Sequence, residues 1–168
     1  ALVPSLNRLA GVRSWGYQLQ RIDIDRMAAS PFDVIVTDFS RDGTGEEALT
    51  PGELVKLKKK PDGSPRIVLA YMSIGEAEDY RDYWKWYWGG RWYTGWIGWL
   101  WGPSWLGAQN PEWGGNYAVR YWLPGWQRLI LGTGHNDGYL DRIIAAGFDG
   151  VYLDKVDSSI EAVARSRP

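Results

Sequence analysis

The chain has 168 residues, enough for one domain that buries roughly 70 % of its unfolded surface. Nineteen Lys and Arg against twenty Asp and Glu leave a net charge of -1, which excludes the overall basic field that nucleic acid or an anionic membrane would call for. Cysteine is absent and histidine occurs once, so disulfides and thiolate metal sites are excluded and a zinc site has few ligands to draw on.

Ser14 to Gln20 alternates apolar and polar residues and predicts a first strand, with Trp15, Tyr17 and Leu19 on one face. Asp23 to Ala29 reads as a short helix, and Pro31 resets the chain before the run Phe32 to Asp38, which suits a strand of a parallel sheet covered on both faces. Thr50-Pro51-Gly52-Glu53 has the spacing of a capping box with proline at the first helical position, and Leu54, Val55 and Leu57 supply the apolar stripe. Lys58 to Lys60 then reads as a solvated helix end whose cations complement the helix dipole. Arg66 to Met72 is a third buried strand, followed at once by Ser73-Ile74-Gly75-Glu76.

Three strands with crossover helices predict a parallel α/β fold. All of the twelve tryptophans except Trp15 lie between Tyr83 and Trp126, interleaved with glycine, and neither a period of 2 nor of 3.6 holds there. A long ordered loop up to about Asn116 is expected, of the length that often carries function. The window Trp96 to Leu106 is broken by Gly98, Gly102 and Pro103 and is too short to span a bilayer, so a soluble protein is expected. Asn116 to Tyr121 fits an extended segment or the approach to a helix through Trp126 to Leu131. Asn136 or Asp137 is placed to cap a helix from Gly138 to Ala146, ended by Gly147. Gly147 to Asp154 is the fourth strand, and Ser158 to Glu161 is a further capping box.

Strand four ends on an acid, Asp154, strand two ends on Asp38, and Glu76 lies just past strand three. In a βα array the C-terminal strand ends are where reacting groups gather, so these carboxylates are the first candidates for chemistry. Each also has a structural alternative: Asp154 beside Lys155, Glu76 in a capping box with Ser73, Asp38 in a turn with Arg41. No glycine-rich phosphate fingerprint follows the strands, and His135 reads as a surface loop residue.

Several ordered motifs carry more than composition. Ser14 to Gln20, Ala70 to Arg81, Trp105-Leu106-Gly107, Asn110 to Trp113, Asn116 to Trp122, Tyr139 to Arg142 and Gly147 to Asp154 together resemble the glycoside hydrolase 114 family. That family is named for endo-α-1,4-polygalactosaminidase and has a TIM-barrel-like (β/α) fold. The likeness, from which Lys85 to Trp101 departs as a tryptophan- and glycine-rich loop insertion, implies a single domain over residues 1–168 with the first half of such a barrel, incomplete at its C-terminal end. It implies a hydrolase with no cofactor, acting outside the cell on an amino-sugar polymer, its leader peptide removed. Asp154 matches the strand-end aspartate to which the family assigns a catalytic role. Glu76 and Asp38 are candidates for the second carboxylate that glycosidic cleavage requires. Trp15, Tyr17, Tyr71 and Trp122 are expected to bind sugar through apolar and cation–π contacts. Arg81 is expected to orient Glu76 or Asp38 or to bind substrate, and Asp157 to line the site. A saccharide-binding domain without chemistry is the alternative.

Overall fold

The structure is a computed structural model, and it describes residues 9–89, 102–135 and 137–157. Four strands, β1 (Trp15–Gln18), β2 (Val34–Thr37), β3 (Ile67–Ser73) and β7 (Gly150–Asp154), form one all-parallel sheet in the order β1-β2-β3-β7. The β2 and β3 runs are apolar up to their last residues, Thr37 and Ser73, because both of their faces are covered. Helices α1 (Ile24–Ala28) and α2 (Pro51–Leu57) fill the first two crossovers. At α2 the expected capping box is complete, with Thr50 Oγ1 accepting from the Glu53 N–H and the Glu53 carboxylate accepting from the Thr50 N–H at 2.8 Å.

The sheet is curved into an open arc. Trp15 and Tyr152 lie on the two edge strands, yet their rings stack with centroids 6.3 Å apart, and Tyr17 meets Tyr152 at 5.9 Å. Strands lie about 4.8 Å apart, so side chains from β1 and β7 meet only across a concave face. That curvature is that of part of a (β/α) barrel. On the convex side Ile35, Val68, Ala70 and Met72 pack with Leu54, Leu57 and Ile143 into the main core.

At the end of β3 the chain leaves the barrel. Ile74 and Gly75 bend it into β4 (Glu76–Glu78), the edge of an antiparallel sheet completed by the hairpin of β5 (Leu106–Gln109) and β6 (Asn116–Val119), in the order β4-β6-β5. The region expected to be one long loop, Tyr83 to about Asn116, therefore contains β5 and leads into β6, and the ambiguity over Asn116 to Tyr121 resolves as a strand followed by α3 (Pro124–Leu131). Lys85 to Trp101 lies largely outside the described residues, as does the Ser158 capping box. Tryptophan staples this excursion to the core: Trp88, Trp105 and Trp126 are buried in edge-to-face and tilted contacts, and Trp126 Nε1 donates to the Ile74 carbonyl at 2.9 Å, where β3 bends away.

Helix α4 (Tyr139–Ala146) leads to β7 and ends at Gly147, whose φ of 102° is the left-handed conformation anticipated for that glycine. Its N-terminus departs from expectation. Asp137 binds Thr133 instead of capping the helix, and Asp141 accepts the Gly138 N–H at 3.0 Å from within the first turn.

Acids at the bottom of the sheet are structural. Asp33, just before β2, accepts from Arg13 and Ser14 and pairs with Lys60 at 2.8 Å, which holds its carboxyl far below the usual carboxylate range; Asp149, just before β7, accepts the Val68 N–H and pairs with Lys58 at 3.1 Å. Lys58 and Lys60 are thus tied to strand starts instead of standing free in solvent. Wholly buried Arg66 donates to the carbonyls of Met27, Leu57 and Phe32, and so closes the C-terminal ends of α1 and α2 with one cation.

Candidate active site

The opposite end of the sheet holds a cleft of about 610 Å³. Its walls include Tyr17 from β1, Asp38 just past β2, Tyr71 from β3, Glu78 from β4, and Asp154 and Lys155 at the end of β7. The parallel strands place these side chains together. Tyr71 is in register with Tyr152, and Asp154, two residues further along β7, points to the same face. The Tyr71 hydroxyl donates to Asp154 Oδ2 at 2.7 Å.

Burial and this bond push the Tyr71 hydroxyl well above the ordinary tyrosine value, so it remains a donor at every physiological pH. Burial, followed by the charge of Asp154, pushes Tyr17 up to about 12. Two neutral phenols therefore face an aspartate whose other oxygen, Oδ1, accepts no hydrogen bond among the described residues. The residue after it, Lys155, has a φ of 58°, a left-handed conformation rare for a side chain of this kind. Such backbone conformations gather at functional sites.

The other acids are occupied. Asp38 receives both terminal nitrogens of Arg81, Nη1 at 2.6 Å and Nη2 at 2.8 Å, and also accepts the Ser40 N–H. Arg81 Nε donates to Glu78 Oε2 at 2.8 Å, and the Tyr80 hydroxyl donates to Glu78 Oε1. Burial alone would lower the Arg81 pKa, but the bonds to Asp38 and the charge of Glu78 carry it far above the arginine norm. Glu76 sits in a separate cage, accepting from Asn110 Nδ2 at 2.8 Å and Asn116 Nδ2 at 3.0 Å, with Lys155 Nζ 3.4 Å away.

The expected site residues therefore divide. Asp154, Asp38, Tyr17 and Tyr71 line the cleft. Glu76 does not, although Asn116 and Lys155, which bind it, do. Arg81 is buried beneath the cleft with its fork spent on Asp38 and Glu78, which corrects the expectation that it binds substrate and that Glu76 is an alternative partner. Trp15 stacks on Tyr152, Trp122 packs edge-on against Tyr121, and Asp157 is exposed; none of the three lines the cleft. Among the cleft residues that sequence reasoning left without a role are Asp42, Glu78, Tyr80 and Trp113. Nothing in the local pattern singled out Glu78, since Glu-Ala-Glu is a poor strand former and is extended here by pairing with the distant β6. Trp113 was one indole among many.

A second depression of about 730 Å³ lies between the N-terminal ends of α1 and α2, sharing Arg41 with the cleft. Its acids have structural partners, Asp23 at the start of α1, Asp25 with Lys56, and Glu53 with Thr50 and Arg41. Among the described residues no group of three or more His, Asp or Glu is arranged to hold a metal.

Residues 4–166 match the family model described as glycoside-hydrolase family GH114. The chain belongs to that family. The uncharacterized protein MJ1477 of Methanocaldococcus jannaschii is 49% identical over 143 residues, covering 85% of this chain and 36% of its own length. An uncharacterized protein of Thermotoga maritima is 40% identical over 145 residues, covering 86% and 39%. The chain thus spans well under half of the relatives it matches. Among solved structures, Aspergillus fumigatus Ega3 in complex with galactosamine superposes with a TM-score of 0.58 at 18% identity, over 89% of this chain and 46% of that one. The glycoside hydrolase domain of PelA from Pseudomonas aeruginosa gives 0.56 at 19% identity, over 88% and 46%. At these identities the two neighbours establish the fold, the open arc being part of a TIM-barrel-like domain. No described helix is long and apolar enough to cross a membrane.

Proposed function

We propose that this chain carries the catalytic aspartate of a glycoside hydrolase that cuts an α-1,4-linked galactosamine polymer outside the cell. The observation that carries the reading is Asp154: a strand-end carboxylate in the cleft, held on one oxygen by Tyr71 and open on the other. The Tyr71 hydroxyl fixes one oxygen of Asp154 and leaves the other facing the cleft, the placement suited to attack the anomeric carbon or to stabilise the positive charge that develops there. Family membership and charge support the choice of polymer. Its ammonium groups complement a cleft whose acids, Asp38, Asp42, Glu78 and Asp154, outnumber the cations Arg41, Lys155 and the buried Arg81 that pairs with two of them.

A second reading has its own support. Among the strand-end and β4 acids, Asp38 and Glu78 are locked to Arg81 and Glu76 is caged, so Asp154 alone keeps an open oxygen. Saccharide binding without hydrolysis fits that arrangement. Incubation of the protein with an α-1,4-galactosamine polymer separates the two: new reducing ends are expected, and retention of the polymer with no new ends would favour the binding reading.

A further inference from the structure

The hairpin loop between β5 and β6, residues 110–115, reaches over the cleft because β6 pairs with β4, and β4 starts where β3 ends. Six residues with two glycines would ordinarily be a loose connection. This one is fastened at both ends. Asn110 and Asn116 donate to opposite oxygens of the buried Glu76 carboxylate, and the Asn110 N–H donates to the Asn116 carbonyl at 2.7 Å. Within the loop, the Glu112 N–H donates to Asn110 Oδ1 at 2.9 Å, the Asn116 N–H to the Trp113 carbonyl at 3.2 Å, and the Asp79 N–H to the Gly115 carbonyl at 2.8 Å.

What the loop presents is an indole with no packing task. Trp113 is 65% exposed, and its neighbour Gly114 has open space around it. Buried tryptophans elsewhere in this excursion staple it to the core; Trp113 instead lines the cleft, and it alone does so among the described tryptophans. A large apolar ring held in water on a fixed backbone is built for a ligand, and its partners in the same walls are carboxylates and phenols. The apolar face of a pyranose ring stacks on indole, and an ammonium substituent adds cation–π attraction.

We infer that Trp113 is a stacking platform for one amino-sugar ring of the polymer, and that Glu76 serves as the anchor holding the loop that carries it. The inference rests on the substrate reading above, naming a residue that would grip that substrate. It is tested by calorimetric binding of α-1,4-galactosamine oligosaccharides in an Asp154→Asn background, where cleavage cannot blur the titration. Trp113→Ala is expected to bind about tenfold more weakly, Trp113→Phe to recover most of the loss, and Trp86→Ala, which removes an exposed indole outside the cleft, to bind as the parent does. Unchanged binding by Trp113→Ala, with the parent binding normally, overturns the platform and leaves the substrate reading standing. A parent that binds no oligosaccharide overturns the substrate reading and the platform together.

Discussion

Asp154→Asn is expected to cut turnover of the galactosamine polymer by at least about a thousandfold while leaving its binding within a few fold, because a neutral amide neither attacks nor stabilises the anomeric centre. The substitution is a fair one. An asparagine oxygen accepts the Tyr71 hydroxyl as Asp154 Oδ2 does, so the contact at 2.7 Å survives and the strand end is not disturbed. Glu76→Gln provides the contrast. Its amide nitrogen has to face an asparagine amide or Lys155, all of them donors, so one end of the 110–115 loop loosens. KM should therefore rise several fold while kcat changes by less than about threefold, the pattern of a lost binding contact and not of lost chemistry. Steady-state kinetics on both variants decides the matter. Asp154→Asn retaining a tenth of the wild-type kcat would remove it from catalysis, and a collapse of kcat in Glu76→Gln would restore Glu76 to the role that its place after β3 first suggested.

That first suggestion shows where local sequence signals run out. The parallel sheet was legible because Val34 to Val36 and Ile67 to Met72 are apolar whichever face is considered, and because Thr50 and Glu53 announce α2 by a bond pattern internal to four residues. Asp154 was legible for the same reason, as an acid at the end of such a run. The acids of β4 were not. Glu-Ala-Glu has no strand propensity to speak of, and it is extended here because β4 pairs with the distant β6 and because Glu76 is held by Asn110, Asn116 and Lys155, whereas Glu78 finds Tyr80 and Arg81 close by. Counting from the end of β3 reaches Glu76 first. Only the bend at Ile74 and Gly75, secured by Trp126 from a helix fifty-two residues on, puts Glu78 in the cleft wall and Glu76 behind it. Lys58 and Lys60 teach the same lesson, since their partners Asp149 and Asp33 meet them only once the sheet is assembled.

Arg81→Met should be the most damaging single change to the fold around this site. The arginine side chain is fully buried, it serves Asp38 and Glu78 at once, and the rings of Tyr80 and Tyr139 lie 4.9 and 5.5 Å from its guanidinium carbon. Methionine fills much of the volume but leaves two buried carboxylates facing one another with no cation between them. Removing one member of a buried ionic set costs about 3–5 kcal/mol, which in a domain of this size lowers the melting temperature by roughly 10 °C or more. Lysine is not an adequate substitute, because a single ammonium cannot make the paired bonds to Asp38 and the third bond to Glu78 in one geometry. The decisive comparison is the triple variant Asp38→Asn, Glu78→Gln, Arg81→Met. If the loss in Arg81→Met comes from uncompensated charge, neutralising both acids returns a good part of it, and thermal melts will rank the triple variant above the single one. A single variant within about 1 kcal/mol of wild type would mean that the acids find other partners, and the cleft wall formed by Asp38 and Glu78 would then owe its shape to the strands alone.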